Sequence, residues 1–131
     1  MLIKHTLPKL TFKKNEKLKS KKVIQSIFLQ NQTIKIYPFK LVWIIEPNNS
    51  SEIKMGTSTA KRLFKLAVTR NLIKRRMREC LRLNKTILTN ALNNKNIKLS
   101  FMLLYIGKEV VPYNEFNIKI KQILIRLTNK I

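Results

Sequence analysis

Three segments of this chain alternate between apolar and polar residues, which is the pattern of β-strands that bury one face. They span residues 37–46, 53–61 and 97–106. The apolar side of the first segment carries Phe39, Leu41, Trp43 and Ile45. A sheet with one apolar face must pack that face against another layer, so these segments predict a sheet that is covered on one side.

Segments with a helical period flank and separate the predicted strands. The first spans residues 20–30, with Ser20 as the expected N-cap, and its apolar positions are Val23, Ile24, Ile27 and Phe28. A second helix is predicted from about Leu66 to Leu83, and residues 90–96 form a polar loop. Residues 112–130 form the last helix, whose inner face carries Tyr113, Phe116, Ile120, Ile123, Leu124 and Leu127.

The resulting order is helix–strand–strand–helix–strand–helix, which predicts an α+β sandwich of αββαβα type. Its helices would cover one face of a small central sheet and leave much of the other face open. The length of 131 residues fits one domain spanning 1–131, in which residues 1–14 read as an extended basic lead. The single Cys predicts no disulfide and a reducing, cytoplasmic compartment, and no apolar run is long enough to span a membrane.

The charge of the chain indicates its class of partner. Lys and Arg number 28 against 6 acidic residues, which gives a formal net charge of +22. Self-repulsion at that density opposes compaction, so we expect a polyanion as the native partner. Many of the Lys are compatible with a bias toward A/T-rich codons, but six of the seven Arg lie between Arg62 and Arg82. The planar guanidinium suits phosphate better than an ammonium does, so this segment is the expected contact.

On a helical wheel the Arg-rich segment separates into two sides. The predicted core side carries Leu66, Ile73, Met77 and Cys80. The opposite side, called the basic arc below, carries Asn71, Lys74, Arg75, Arg78 and Arg82, with Arg70 at its edge. Lys61, Arg62 and Lys65 precede the helix, where backbone N–H groups also favour phosphate. A merely solvated face is the alternative, but such faces usually interleave Glu with Lys.

The open face of the predicted sheet is a second candidate surface. The residues that would share it are Lys40, Lys54, Gly56, Ser58, Lys98 and Ser100. Small side chains beside Lys leave room for a polymer backbone to lie against the sheet. A solvated face with no ligand explains the same pattern, and the sequence leaves both interpretations open.

Catalytic groups are scarce in this sequence. It has no Asp, its six Glu are scattered, and His5 stands alone in the basic lead. Cys80 falls on the core side of its helix, and no Cys or His pair has the spacing of metal ligands. If the chain belongs to an enzyme, another component must supply the catalytic groups.

The ordered motifs resemble the protein subunits of bacterial ribonuclease P, the enzyme that removes the 5′ leader from precursor tRNA. That family carries R-N-R-x-K-R-x-x-R-E on a helix, and the matching positions here are Arg70, Asn71, Lys74, Arg75, Arg78 and Glu79. "MGTSTAKR" resembles the preceding strand, and "KKNEKLKSKKVIQSIF" resembles the first helix, with Phe28 at an aromatic position. Leu72 departs from the second Arg of the motif, and "LFKLAV" is one residue longer than the usual segment.

The resemblance implies that the protein binds RNA while an RNA subunit carries out the catalysis. In the family, the RNA subunit performs the Mg²⁺-dependent hydrolysis, and the Arg-rich helix docks on that RNA. The first helix and the open sheet face form a cleft for the single-stranded leader, here assigned to Phe28, Lys40, Lys54 and Ser58. It also implies a left-handed βαβ crossover and RNase P RNA and precursor tRNA as partners, with no obligate protein partner expected. No residue is assigned to a metal site, and the sequence leaves open whether the protein itself holds a metal ion.

Several alternatives stay open at this level. Phe28 could instead be buried under the first helix. A small ribosomal protein that binds RNA as a structural component would have a similar composition and a related fold. A nucleoid-type DNA-binding protein and an enzyme that acts without RNA are more distant alternatives.

Overall fold

The computed structural model describes residues 16–131, so the predicted lead at 1–14 lies outside the described residues. Along residues 16–131 the chain forms three helices and four strands. The helices are α1 (Lys21–Gln30), α2 (Ala67–Leu92) and α3 (Tyr113–Thr128). The strands are β1 (Gln32–Ile36), β2 (Phe39–Pro47), β3 (Glu52–Thr59) and β4 (Ile97–Tyr105). The α+β class is confirmed, and the structure adds one strand to the predicted order.

The four strands form one mixed sheet in the order β1-β2-β4-β3. β2 pairs with β1 and β4 in antiparallel fashion, whereas β3 and β4 are parallel. A parallel pair needs a long crossover connection, and here α2 supplies it. This β3–α2–β4 unit is the crossover that the resemblance predicts to be left-handed.

β1 is the strand that the sequence did not predict. It has five residues, and its Ile34 is buried opposite Leu41 of β2. Two alternating apolar residues are too weak a signal for a strand. The strand exists because β2 pairs with it across the adjoining turn.

The main core lies between α2, α3 and one face of the sheet. The predicted core residues Ile73, Met77 and Cys80 are all fully buried there, against Leu41 and Phe101 among others. Leu66 is a correction, because it is 71% exposed. It is the N-cap of α2 with an extended backbone, so the helical wheel does not apply to it.

α2 is longer than predicted, since it ends at Leu92 and not near Leu83. Its last turns bury Leu88 and Leu92 in the main core. The predicted polar loop is therefore confined to the residues between Leu92 and Ile97. Among residues 16–131, no helix is long and apolar enough to cross a membrane.

α1 packs on the opposite face of the sheet. It begins at the predicted cap, where Ser20 Oγ accepts from the backbone N–H of Val23 at 3.3 Å. Its Ile27 is fully buried with Val42 and Ile44 of β2. Ser100 was expected on an open face, but it is fully buried. Because α1 covers the middle of this face, the open part is narrower than the pattern alone indicated.

Residues 16–19 run along the free edge of β3. The backbone N–H of Leu18 donates to the carbonyl oxygen of Met55 at 2.8 Å. Glu16 forms an ion pair with the buried Lys85 of α2, with 3.2 Å between Oε1 and Nζ. These contacts cover the edge of β3 that has no neighbouring strand, and they hold residues 16–19 between β3 and α2.

Candidate nucleic-acid interface

A groove of about 400 Å³ follows the edge of β3, between α1 and α2. We call it the edge groove, and it is lined by Lys17, Leu18, Ile24, Met55, Gly56, Thr57, Arg78, Leu81 and Met102. Gly56 forms part of its floor, where a Cβ would lie 2.4 Å from Met102 Sδ. The absence of a side chain at this position therefore keeps the floor low beside Met102.

Four lysines surround the N-terminus of α1. Lys17, Lys19, Lys54 and Lys98 line a hollow together with Leu18, Ser20 and Val23. Lys54 also lies 3.6 Å from Glu52, so part of its charge is compensated. The remaining positive charge and the N-terminal end of the helix both favour an anion such as phosphate.

Phe28 lies one helical turn beyond Ile24 and is 46% exposed. It lines a shallow hollow on α1 together with Ile24, Gln25 and Leu29. Because Ile24 also lines the edge groove, Phe28 stands next to that groove. The alternative that Phe28 is buried under the first helix is therefore wrong.

Lys40 and Ser58 occupy one row of the sheet. Ser58 pairs with Leu104 in β4, and Leu104 pairs with Lys40 in β2. Lys54 lies four residues before Ser58 on the same face of β3, which is about 13 Å along a strand. The four residues assigned to a leader cleft therefore share one side of the molecule, but they are spread along it and do not form a single tight cluster.

The basic arc of α2 faces solvent as the wheel predicted. Asn71, Arg75 and Arg78 are exposed, and Lys74 is partly buried. Arg78 also lines the edge groove, together with Ile24 of α1. The basic arc and the edge groove are thus one continuous surface that meets at Arg78.

Arg70 of the motif and Arg82 of the basic arc make contacts that the sequence did not predict. Arg70 Nη1 donates to the carbonyl oxygens of Phe64 and Lys65, both at 2.7 Å, and so holds the turn before α2. Arg82 Nε donates to Glu79 Oε2 at 3.0 Å, and a second contact joins Arg82 Nη2 and Glu79 Oε1. Hydrogen bonding to Arg82 lowers the pKa of the Glu79 carboxyl, so this carboxylate stays charged beside the arc.

The approach to α2 is basic and exposed. Lys61, Arg62 and Lys65 all face solvent in the turn before the helix. Among the described residues, no side chain caps α2 at Leu66. The first-turn N–H groups therefore add to the positive potential at this end of the arc.

The described residues do not form a metal site or a reactive thiol. No group of three or more His, Cys, Asp or Glu side chains comes together within residues 16–131. Burial raises the pKa of the Cys80 thiol above its ordinary value, although a hydrogen bond from the Tyr113 hydroxyl opposes the shift. Cys80 is thus a packing residue, as its place on the wheel indicated.

Sequence reasoning missed several residues that line these surfaces. Lys17 and Lys19 were not assigned to the site, although both lie in the basic stretch that precedes α1. Arg76 was not assigned either, and its guanidinium lies over the Phe116 ring at 5.7 Å from the centroid. Its position between the core side and the arc could have indicated such a contact.

Comparison with known proteins gives the same family in each case. The family model described as Ribonuclease P matches residues 12–126. A "Ribonuclease P protein component" of Porphyromonas gingivalis is 27% identical over 119 residues, covering 90% of this chain and 87% of that protein. A second one, from another strain, is 26% identical over 125 residues, covering 95% of this chain and 91% of that protein.

Solved structures show that the fold is shared as well. The RNase P protein of Staphylococcus aureus matches with a TM-score of 0.65 at 19% identity, covering 87% of this chain and 96% of that one. The RNase P protein of Thermotoga maritima matches with a TM-score of 0.63 at 20% identity, covering 85% of this chain and 96% of that one. With a family match over most of its length, this chain belongs to the bacterial ribonuclease P protein components, the protein part of an endoribonuclease that processes the 5′ end of tRNA.

Proposed function

We propose that this chain supports cleavage by binding two RNAs on one surface. The basic arc of α2 binds RNase P RNA, and the edge groove with the flanking face of α1 binds the 5′ leader of precursor tRNA. The observation that carries the proposal is the position of Arg78, which belongs to the arc and lines the groove. RNA docked on the arc therefore lies directly beside a strand held in the groove.

The RNase P RNA site comprises basic residues and one Asn, exposed or partly exposed, from the turn before α2 to the middle of the helix. We assign to it Lys61, Arg62, Lys65, Arg70, Asn71, Lys74, Arg75, Arg78 and Arg82. On the helix itself, Arg75 and Arg78 are the strongest candidates for direct phosphate contacts, because they are the exposed arginines of the arc. Arg70 also orders the turn before α2 through its hydrogen bond to the Phe64 carbonyl oxygen, and Arg82 also forms an ion pair with Glu79.

The leader site fits a single strand better than a duplex. The floor of the edge groove lacks a side chain at Gly56, and Phe28 offers an exposed aromatic ring at its side. Aromatic rings stack with unpaired bases, while lysines follow the phosphates. Lys54 supplies positive charge near the N-terminus of α1. In the row at the other end of the face, Lys40 supplies charge and Ser58 a small hydroxyl-bearing side chain.

The chemistry of hydrolysis is assigned to the RNA subunit with Mg²⁺. Within residues 16–131 no group of three or more Glu, Cys or His side chains comes together as Mg²⁺ ligands would, and Glu16, Glu52 and Glu79 each lie against a basic side chain. The basic residues of the arc and the edge groove can bind and orient the two RNAs and reduce the repulsion between them. We place this activity in the cytoplasm, with no obligate protein partner.

The test is reconstitution with a bacterial RNase P RNA. We expect the purified protein to increase the rate of precursor-tRNA cleavage at low Mg²⁺, and to do so more strongly with a long leader than with a leader of one or two nucleotides. A protein that serves only as a structural RNA binder would bind the RNA without changing the cleavage rate. That result would contradict the proposal.

A further inference from the structure

A second hollow lies on the α3 side of α2, outside the edge groove. It has a volume of about 390 Å³ and is lined by Arg75, Arg76, Glu79 and Tyr113. Its size is in the range of small-ligand sites. Of the four lining residues, only Arg75 belongs to the RNA site assigned above.

The walls of this hollow are held in place by the core beneath it. The Arg76 guanidinium rests over the Phe116 ring, 5.7 Å from its centroid. The Tyr113 side chain lies beside the buried Cys80 thiol, and 41% of the Tyr113 surface is exposed. A tyrosine has only two side-chain torsions, so a partly exposed tyrosine ring loses little conformational entropy when a planar ligand stacks on it.

The charges of the hollow indicate a nucleotide rather than a bare anion. Arg75 is exposed at its rim and can take a phosphate. Glu79 lies on the wall as a carboxylate, since Arg82 holds it in the charged form. A carboxylate repels a phosphate at close range, but it accepts N–H groups from the amino-bearing edges of adenine, cytosine or guanine. Uracil lacks an amino group, and the single N–H on its pairing edge is flanked by two carbonyl oxygens, which a carboxylate disfavours.

We propose that this hollow binds one unpaired RNA nucleotide whose base carries an exocyclic amino group. The base lies against Tyr113 and donates to Glu79, while its phosphate binds Arg75. Because the hollow opens beside the basic arc, the nucleotide is one that RNase P RNA turns out of its helices. The inference rests on the proposed function in that RNA docks on α2.

The first experiment uses mononucleotides, so it does not depend on RNase P RNA. The isotopically labelled protein is titrated with GMP, AMP, CMP and UMP, and the ring resonances of Tyr113 are followed by NMR. We expect the three amino-bearing nucleotides to shift these resonances and to bind several-fold more tightly than UMP. In Glu79→Gln this preference should disappear, because the amide also donates to carbonyl oxygens. Equal binding of UMP by the unaltered protein would overturn the inference.

The second experiment measures affinity for RNase P RNA. Tyr113→Ala should weaken binding by about 5- to 150-fold, the range for loss of one base–aromatic stack. Tyr113→Phe keeps the ring and should retain most of the affinity, which separates stacking from a folding defect. Ile118→Ala is the matched control, because it also removes an exposed apolar side chain from α3.

The two proposals fail in different ways. If Tyr113→Ala binds RNase P RNA as tightly as the unaltered protein does, only the nucleotide site is refuted. If the unaltered protein neither binds that RNA nor increases cleavage, the proposed function itself fails.

Discussion

Neutralising Arg78 provides a direct test of the basic arc. This side chain is exposed on α2, so Arg78→Ala should leave the fold intact. It also lines the edge groove, where the arc meets the proposed leader site. If Arg78 contacts a phosphate of RNase P RNA, Arg78→Ala leaves one phosphate fewer neutralised. The counterions condensed at that phosphate are then not released on binding.

The expected magnitude follows from that counterion release. Each phosphate contact contributes about 0.7 to 0.9 to the slope of log affinity against log salt. Between about 50 and 200 mM salt, the unaltered protein should therefore lose about threefold more affinity than Arg78→Ala does. Fluorescence anisotropy with labelled RNase P RNA over a salt series measures both slopes.

The control must separate a local contact from the loss of one charge out of a net +22. Arg126→Ala removes the same charge from an exposed position on α3, away from the arc. Its slope should equal that of the unaltered protein, because a distant charge is screened at these salt concentrations. If Arg78→Ala and Arg126→Ala flatten the slope equally, the arc is not a specific interface and our reasoning is refuted.

Four further predictions follow from the same geometry. Arg75→Lys should lose affinity for RNase P RNA at constant charge, because Lys lacks the planar set of donors; equal binding would show that the Arg cluster carries no geometric information. Met77→Ala should destabilise the protein by about 2–5 kcal/mol in denaturant unfolding, because Met77 is fully buried; a change below about 0.5 kcal/mol would contradict its place in the core. Phe28→Ala combined with Lys40→Ala should weaken binding of precursor tRNA with a long leader but not of mature tRNA, and an equal loss for both would refute the leader assignment. Because burial raises the pKa of Cys80, its thiolate forms only at higher pH than that of a free cysteine, so the native protein should resist alkylation at about pH 8 and react once unfolded; rapid labelling of the native protein would contradict this.

Much of the fold was readable from local pattern. The side of α2 that carries Ile73, Met77 and Cys80 was assigned correctly, because a helix repeats every 3.6 residues wherever it is regular. The same rule failed at Leu66, since the backbone is extended there and the wheel has no meaning. The exposed arc followed from the same periodicity and from the concentration of Arg.

Other features depended on partners that are distant in the sequence. β1 exists because Ile34 can pair across from Leu41, and α2 continues to Leu92 because its last turns reach the core. The segment before α1 is held by the contact of Glu16 with Lys85, two residues that are 69 positions apart. No local pattern encodes such contacts, because their stability depends on surfaces that form only when the chain has folded.

The sequence by itself determined the class of partner, the α+β class and the exposed face of the Arg-rich helix. Charge, periodicity and residue type can be read from the sequence without knowledge of the tertiary contacts. Only the tertiary structure decided that Arg78 meets the edge groove, that Phe28 is exposed beside it, and that Arg76 and Tyr113 form a second hollow. These are relations between elements, and they are set by how α1 and α3 pack around one sheet and one helix.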